Sequence, residues 1–382
     1  MSFDSTLSHW GDHPCEAVVL YRAPHATECT RLIQYGLPRT FDSLDQVPLT
    51  SGYLIAPFTV TAETPVVWIE PDEWLRVKLP LPPALPTTAC VHPIDEAGER
   101  AAYHRAFAQT SRRLSQNEVQ KVVLSRRLEL RFEAVDEGQG DFATDETEAA
   151  NWQKGWPQAV SYFLQACHYR PNSFVSLWWT RATGAWLVAT PEPLLEKHHH
   201  TWATVALAGT MPWNDRALTL KEWSDKNREE QAIVARFIKD QLTDVVTDLQ
   251  ASQTYSLHTG NLQHLCTDFQ FGLPSPEAAL QVLQRLHPTP AVCGFPREAA
   301  RQAILTDEDS PRRYYAGFSG PFYWQDETHL YVSLRCMAFS SSAACLYAGG
   351  GIMPESIEAD EWDETQRKLR TMACLLGYET CI

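Results

Sequence analysis

Two glutamates and a lysine near the C-terminus are spaced so that they could hold a divalent cation. Glu361, Glu364 and Lys368 stand at i, i+3 and i+7, and the same line continues into apolar residues. In a helix this spacing places all three on one face. Carboxylate oxygens are the ligands that Mg²⁺ prefers, often together with substrate and water. A solvated ion-pair stripe is the alternative and, for this helix alone, the more common arrangement.

A third carboxylate, Glu230, lies in the segment SDKNREEQAIVARFIKDQL. It precedes Ile233, Val234 and Phe237 by three, four and seven residues, so it shares their apolar face. A buried carboxylate is costly unless a cation compensates it. A surface role as partner of the helix dipole explains the position equally well.

Lys121 opens the segment KVVLSRRLEL, in which apolar and polar residues alternate. This period-2 pattern predicts a half-buried strand. The pattern alone predicts a solvent-exposed lysine, since charged residues on the polar face of a strand are common.

Arg335 lies in LYVSLRCMAF, which reads as one strand with the arginine in its middle. An unpaired guanidinium among apolar neighbours is costly, so a bidentate carboxylate partner is expected. The cluster YAGGGI, which ends at Ile352, precedes the C-terminal helix. It matches no nucleotide-binding signature, but consecutive glycines can expose backbone N–H groups to a carboxylate.

Proline and glycine punctuate the apolar stretch LHPTPAVCGFPREAA, residues 286–300. Such rigid loops often form the wall of a pocket. A lone histidine there, His287, is more often structural than catalytic.

The elements that must position these residues are strands and helices in mixed order. Helices are predicted from Asp95, from Ser224 or Asp225, and over about 358–376. A proline-rich connector spans 79–88, and SFVSLWWT and AWLVAT form two strands joined by a turn. The acidic tract 132–151 predicts a solvated excursion, with a calcium site as a weak alternative. His198 to His200 predict a loop, because adjacent positions cannot all point at one metal.

Composition limits the partners. The 382 residues carry a net charge of −15, which disfavours nucleic acid and anionic membranes. Ten cysteines without a CxxC pair are typical of a reduced chain and disfavour structural zinc. No signal-like start or transmembrane run is present, so a cytoplasmic protein without membrane association is expected. Length alone favours two or three domains.

Ten ordered motifs resemble those of the chorismate-utilising family, the group of isochorismate, salicylate, anthranilate and aminodeoxychorismate synthases. They run from about residue 95 to 380: KVVLSRR, ATPEPLLE, ALAGTMPW, SDKNREEQ, LQHLCTDFQ, LHPTPAVCGFPREAA, RRYYAGFSGPF, SLRC, YAGGGI and EWDETQRK. Residues 1–90 are divergent.

The resemblance implies a mixed α/β fold, with two large, mainly antiparallel sheets packed as a sandwich and helices outside. It implies one chorismate-binding domain over 1–382, in which 1–90 form a divergent part of the sandwich and 91–382 carry the motifs. Mg²⁺ is the implied cofactor, with Glu230 and Glu364 as direct ligands and Glu361 acting through water. The implied substrate contacts are Gly209, Thr210, His287, Ala291, Tyr315, Arg335, Gly349 and Lys368.

A few side chains bear on the subfamily. Ala208 stands where the similar aminodeoxychorismate synthases carry a nucleophilic lysine, and Lys121 stands where anthranilate synthases usually have glutamine. Lys121 therefore points to water as nucleophile. Ala291, where salicylate synthases tend to have threonine, favours isochorismate synthase; salicylate synthase, which also releases pyruvate, is the alternative. The glycine cluster has Gly350 where relatives commonly have alanine.

Isochorismate formation requires water to add at C2 of the chorismate ring while the C4 hydroxyl leaves, so a base and an acid are needed. The resemblance implies Lys121 as base and Glu192, in ATPEPLL, as acid. Lysine accepts a proton only when neutral, and an apolar setting would keep Glu192 protonated. A glutamine amidotransferase subunit is not expected, and a monomer is favoured because no exposed heptad is visible. The product would enter menaquinone or siderophore synthesis.

Overall fold

The computed structural model describes residue 7 and residues 15–84, 91–132, 146–259 and 262–378. Most of the acidic tract, and with it the weak calcium alternative, lies outside these residues, as does the end of the proline-rich connector. Among the described helices, none combines the length and apolar character needed to span a bilayer.

The described strands, in chain order, are β1 (Ala17–Arg22), β2 (Glu28–Gln34), β3 (Arg39–Phe41), β4 (Gly52–Ala56), β5 (Val66–Ile69), β6 (Glu73–Lys78), β7 (Val91–Pro93), β8 (Lys121–Phe132), β9 (Phe174–Thr180), β10 (Gly184–Thr190), β11 (Pro193–His198), β12 (Thr201–Pro212), β13 (Thr247–Ala251), β14 (Tyr255–Thr259), β15 (Leu262–Gly272), β16 (Gly294–Phe295), β17 (Phe318–Phe322), β18 (Thr328–Val332), β19 (Cys336–Phe339) and β20 (Ala343–Ile352). The described α-helices are α1 (Glu96–Ser115), α2 (Glu146–Tyr169), α3 (Asp225–Leu242), α4 (Ala278–Leu286), α5 (Arg297–Asp307) and α6 (Glu358–Ala373).

The strands form two ten-stranded antiparallel sheets. Sheet 1 has the order β16-β8-β20-β19-β10-β9-β1-β2-β6, with β7 added to β8. Sheet 2 has the order β13-β15-β12-β11-β18-β17-β4-β5-β3, with β14 added to β15. The predicted fold class, two large antiparallel sheets with helices, is confirmed. The strands before residue 79 contribute to both sheets.

Alternation along β1 shows how sheet 1 is buried on both faces. Val19 belongs to the core shared with sheet 2, which also contains Leu54 and Val67. Val18 faces the opposite side and packs in a second core with residues of α2 and α6, among them Phe163 and Met372. Since successive side chains of a strand point to opposite faces, the first core lies between the sheets and the second beneath the helices.

Two of the three predicted helices, α1 and α3, begin at residues whose side chains cap them, whereas α6 has no side-chain cap. Asp95 accepts a hydrogen bond from the Gly98 N–H of α1 at 2.8 Å. Ser224 accepts one from the Asn227 N–H of α3 at 3.2 Å. Such caps contribute about 1 kcal/mol each. The α3 cap fixes where the helix starts and hence places Glu230 in its second turn.

Two predictions from local pattern are wrong. LYVSLRCMAF is not one strand: β18 belongs to sheet 2 and β19 to sheet 1, and Arg335 lies between them with φ of 47°. Lys121 opens β8 as predicted, yet it is fully buried rather than solvent-exposed. Both errors concern the place where the two sheets meet.

Candidate active site

A cavity lies between the sheets, bounded by α3, α6 and the loop before β16. It encloses about 700 Å³ of space that no atom fills, a volume that includes open solvent at its mouth. The predicted site residues that line it are Glu192, Gly209, Thr210, Glu230, Ala291, Tyr315, Arg335, Gly349, Glu364 and Lys368.

Two short segments at this cavity carry the chain directly from one sheet to the other, and we call them the sheet crossings. The first crossing, between β10 and β11, carries Glu192; the second, between β18 and β19, carries Arg335. The crossings are hydrogen-bonded to the strands beside them, because Val332 N–H donates to Glu192 O at 2.9 Å and Ala189 N–H donates to Arg335 O at 3.1 Å. The backbone therefore fixes both side chains at the junction of the sheets.

Lys121 is packed beside the cavity and, like His287, is not among the residues that line it. Its Nζ lies 2.9 Å from Glu230 Oε1, an ion-pair distance. This nitrogen has no hydrogen bond of good geometry within the described residues, the short distance to Glu230 included. Burying a lysine in this way is costly, and its donors remain free for a small polar molecule.

The glycines of β20 make room for the carboxylates. A Cβ at Gly351 would lie 2.3 Å from Glu230 Oε1 and 3.0 Å from Lys121 Cε. A Cβ at Gly350 would lie 3.3 Å from Glu361 Oε2 and 3.7 Å from Glu364 Oε1. The missing side chains leave a recess into which α3 and α6 point three carboxylates, and we call it the glycine cradle.

Each carboxylate of the cradle is paired with a lysine. Besides the pair of Lys121 and Glu230, Lys226 Nζ lies 2.5 Å from Glu361 Oε1. Lys368 Nζ lies 2.7 Å from Glu364 Oε1 and also donates to Gly349 O at 2.7 Å. Burial opposes the ionisation of Glu364, but Lys368 outweighs it and lowers the pKa of that carboxyl.

The environment of Glu192 differs from that of the cradle. Its side chain is buried and has no lysine or arginine at ion-pair distance in the described part of the chain. Burial raises its pKa to about 7, although the charges of Lys121, Lys368 and Arg335 partly oppose that shift. Glu192 thus titrates near neutral pH without a cation at ion-pair distance, whereas each cradle carboxylate is paired with a lysine; within the cradle, burial nevertheless raises the pKa of Glu361.

Arg335 does not have the carboxylate partner that its sequence context predicts. Among the described residues no ion pair reaches its guanidinium, and burial lowers its pKa to about 10, so it remains charged at neutral pH. A charged guanidinium that faces a cavity and has no protein partner can bind a ligand carboxylate through two parallel hydrogen bonds.

Gly209 and Thr210 form one wall through a β-bulge in β12, where the register shifts between Ala208 and Thr210. Gly209 has φ of +70°, and a Cβ there would lie 3.1 Å from Asn227 O. Glycine is favoured at this position for both reasons. The bulge turns the backbone toward the cavity.

His264 lines the cavity but was not predicted as a site residue. It pairs with Thr210 across the strands, and its Nδ1 lies 3.2 Å from both Gly209 O and Thr210 Oγ1. Its Nε2 is buried and has no hydrogen-bond partner within the described residues. Burial lowers the pKa of His264 to about 3, so the ring is neutral. Lys226 was missed as well, although it stands four residues before Glu230 on the same helix face.

The loop between α4 and α5 contributes Ala291 to the cavity but not His287. The Nε2 of His287 lies 2.9 Å from Pro57 O, and its ring packs edge-on against Phe318. His287 is not among the lining residues, so the structure gives it a packing role and does not support the predicted substrate contact. Tyr315 lines the cavity, with its ring stacked on Tyr347 at 5.5 Å.

Comparisons with known proteins agree with this fold and identify a family. The family model described as chorismate binding enzyme matches residues 151–377, more than half of the chain, so the protein belongs to that family. It is 33% identical over 201 residues to isochorismate synthase EntC of Escherichia coli K12, and 34% identical over 201 residues to isochorismate synthase MenF of that strain. These matches cover 51% of this chain, and 51% and 46% of the relatives respectively.

Solved structures extend the likeness to the whole chain. A putative 2,3-dihydroxybenzoate-specific isochorismate synthase, DhbC from Bacillus anthracis, superposes with a TM-score of 0.75 at 22% identity, covering 99% of this chain and 100% of that one. Anthranilate synthase component I from Streptococcus pneumoniae gives 0.62 at 14% identity, covering 97% and 86%. These similarities concern the fold. In sequence, the chain spans about half the length of the curated relatives that it matches.

Proposed function

We propose that this protein is an isochorismate synthase that interconverts chorismate and isochorismate with Mg²⁺ as cofactor. The observation that carries the proposal is the contrast between Lys121, which is buried beside the cavity, and Glu192, which lines the cavity and whose pKa burial raises to about 7. An addition–elimination that needs a base and an acid requires such a pair. The names of the matched relatives support the same reaction.

In the proposed forward reaction, neutral Lys121 accepts a proton from the water whose oxygen bonds to C2. Glu192 donates its proton to the C4 hydroxyl, which leaves as water while the C4–O bond breaks and both ring double bonds shift, from C1=C2 and C5=C6 to C1=C6 and C4=C5. One proton is taken up and one is released, so the step balances. The enzyme is left with a lysine ammonium and a glutamate carboxylate, which serve as acid and base in the reverse direction.

The free guanidinium of Arg335 binds a substrate carboxylate in this proposal. Lys368 and the Gly349 backbone also line the cavity and assist it in this proposal, while Gly209 and Thr210 contact the ring. Fixing both ends of the substrate between the sheet crossings would hold C2 near the base and the C4 hydroxyl near the acid, which lowers the entropic part of the barrier.

The glycine cradle fits Mg²⁺. Its donors are hard carboxylate oxygens from two helices, and the recess that Cβ atoms would fill leaves room beside them. Glu230 and Glu364 would hold the ion directly and Glu361 through water. When bound, Mg²⁺ supplies positive charge that anchors a substrate carboxylate and compensates the cradle glutamates. The lysines now paired with these glutamates would then be free to contact substrate or water.

Water rather than ammonia is the proposed nucleophile, so no subunit that delivers ammonia is required. We further propose that the product enters menaquinone or siderophore synthesis. Solved relatives include synthases described as menaquinone-specific and as 2,3-dihydroxybenzoate-specific. Either route begins with the same chemistry at this site.

The proposal is tested by incubating the full chain with chorismate and Mg²⁺ and separating the products by chromatography. Isochorismate should form, should revert to chorismate when supplied alone, and should not form in EDTA. Lys121→Gln should lower turnover by about 10²-fold or more, the usual contribution of a general base. The thermal melt of that variant shows whether it remains folded.

Three results would contradict parts of the proposal. Salicylate with pyruvate as main products would identify the salicylate synthase reaction instead. An aminated product in ammonium salts would show that ammonia replaces water. Unchanged turnover in folded Lys121→Gln would remove Lys121 from the role of base.

A further inference from the structure

A second group of possible metal ligands lies on sheet 2, away from the proposed active site. Glu196 and His198 are two residues apart on β11 and therefore point to the same face. His329 on β18 is the direct cross-strand partner of Glu196. Glu196 lies four residues beyond Glu192, or roughly 13 Å along an extended strand.

The donor atoms of these three residues converge. Glu196 Oε1 lies 3.3 Å from His329 Nδ1 and 3.9 Å from His198 Nε2. Within the described part of the chain, this is a group whose ligand atoms all fall within 4.8 Å of one another. Donors at 2.0–2.1 Å from a tetrahedral zinc ion are separated by about 3.4 Å, so small side-chain movements would complete the geometry.

Neighbouring side chains orient two of the three donors. Glu327 Oε2 lies 3.0 Å from the other ring nitrogen of His329, Nε2. In a neutral ring this carboxylate favours a proton on Nε2 and leaves the lone pair of Nδ1 directed at Glu196. Tyr331 O–H donates to Glu196 Oε1 at 2.6 Å. A carboxylate behind a ligating histidine is the usual outer partner of a metal site.

Charge and access also suit a cation. Glu196 and Glu327 bring two negative charges to a face whose other donors are imidazoles. The side chain of His198 is 57% exposed, so an ion can enter and water can complete its coordination. Two imidazoles and a carboxylate match borderline divalent ions such as Zn²⁺ or Co²⁺ better than Mg²⁺.

A proton is the competing occupant. His329 bridges Glu196 and Glu327; burial opposes its protonation, but the two carboxylates outweigh burial and raise its pKa. A cluster that held only a proton would have the same resting hydrogen bonds. The two occupants differ in what they predict for His198, which has no role in bridging the carboxylates.

We propose that Glu196, His198 and His329 bind a divalent transition-metal ion of the zinc class, with Glu327 and Tyr331 orienting the ligands. The ion would tie β11 to β18. β11 follows the crossing that carries Glu192 and β18 precedes the crossing that carries Arg335, so the site would stabilise sheet 2 beside the active site without taking part in the reaction. Only one of the three consecutive histidines is used, since His199 and His200 are not among the converging donors.

Calorimetric titration of the EDTA-treated full chain with ZnCl₂, in excess Mg²⁺ to occupy the glycine cradle, tests the site. One Zn²⁺ per chain should bind, and the thermal midpoint should rise. His198→Asn should weaken binding by at least about 10-fold, and Glu327→Gln by about 10- to 100-fold, the range for outer partners of metal ligands. His200→Asn is the matched control, because it removes an exposed imidazole from the same turn.

His198 is exposed, so its replacement should leave folding intact and makes it the deciding variant. Binding that survives His198→Asn unchanged would overturn the proposal. Equal losses in His198→Asn and His200→Asn would also overturn it, because the exposed histidine run would then be the ligand. The His198→Asn variant should isomerise chorismate as fast as the wild type. If it lost this activity, the bound ion would take part in the reaction, contrary to the proposal.

Discussion

Gly351→Ala is expected to disable the site while leaving the fold intact. Its backbone lies outside the left-handed region, so alanine is sterically allowed there. The added Cβ would, however, stand 2.3 Å from Glu230 Oε1, whereas ordinary contacts begin at 3.4 Å. The carboxylate must therefore move by about 1 Å, and Lys121 Cε, at 3.0 Å, must shift with it.

The magnitude follows from that displacement. A misplacement of about 1 Å at a reacting centre can cost about 10²-fold in rate. The free energy of unfolding should change by less than about 1 kcal/mol, because alanine loses less backbone entropy than glycine on folding and the displaced atoms end flexible side chains. Steady-state kinetics with chorismate, together with urea unfolding, separates the two effects.

Gly350→Ala is the matched control. Its Cβ would be 3.3 Å from Glu361 Oε2, so small adjustments suffice and most activity should remain. Glu230→Asp in the Gly351→Ala background withdraws the carboxylate by about 1.5 Å, one carbon–carbon bond, and should recover part of the lost rate. Full activity in Gly351→Ala would refute the claim that the absent side chain makes room for a working carboxylate.

Two further predictions concern Glu192 and His287. If protonated Glu192 is the acid, kcat/KM should fall as pH rises through about 7. The Glu192→Gln variant should have lower activity, and its pH–rate profile should lack this decline. Because the pKa of Glu192 is raised in the folded state, the stability that Glu192 contributes is present at low pH and is lost as pH rises through about 7. His287→Phe should keep wild-type kcat/KM but lose about 1 kcal/mol in urea unfolding with the contact to Pro57 O, whereas a large rise in KM would restore His287 to the substrate site.

Local sequence patterns predicted the helices and strands well, but they did not predict which parts of the fold pack against each of them. Alternation correctly indicated a strand at β8, yet it assigned Lys121 to solvent, because the helix that covers its face begins more than a hundred residues later in the sequence. The burial of Glu361 was equally invisible, because an ion-pair stripe on a surface helix has the same spacing. In both cases the family resemblance supplied the residues that periodicity could not.

The remaining misses have different physical causes. LYVSLRCMAF looks like one strand because β18 and β19 are both buried, and the short connection between them adds only a single charged residue to the apolar run. Lys226 could have been found, since it is four residues from Glu230 on a predicted helix face. His264 could not, because its place beside Thr210 depends on the pairing of β12 with β15 and on the bulge at Gly209.

The sheet crossings have a consequence for how the protein can vary. Glu192 and Arg335 lie on two adjacent connections between the sheets. The distance between them is therefore set by these two short segments of chain and not by how thickly the core packs between the sheets. Replacements in the strands of residues 17–78 can therefore change the spacing elsewhere in the sandwich while leaving these two groups in place. Such replacements would leave the geometry of these two groups intact even where they alter the stability of the sandwich, which is the tolerance that the expected divergence of residues 1–90 requires.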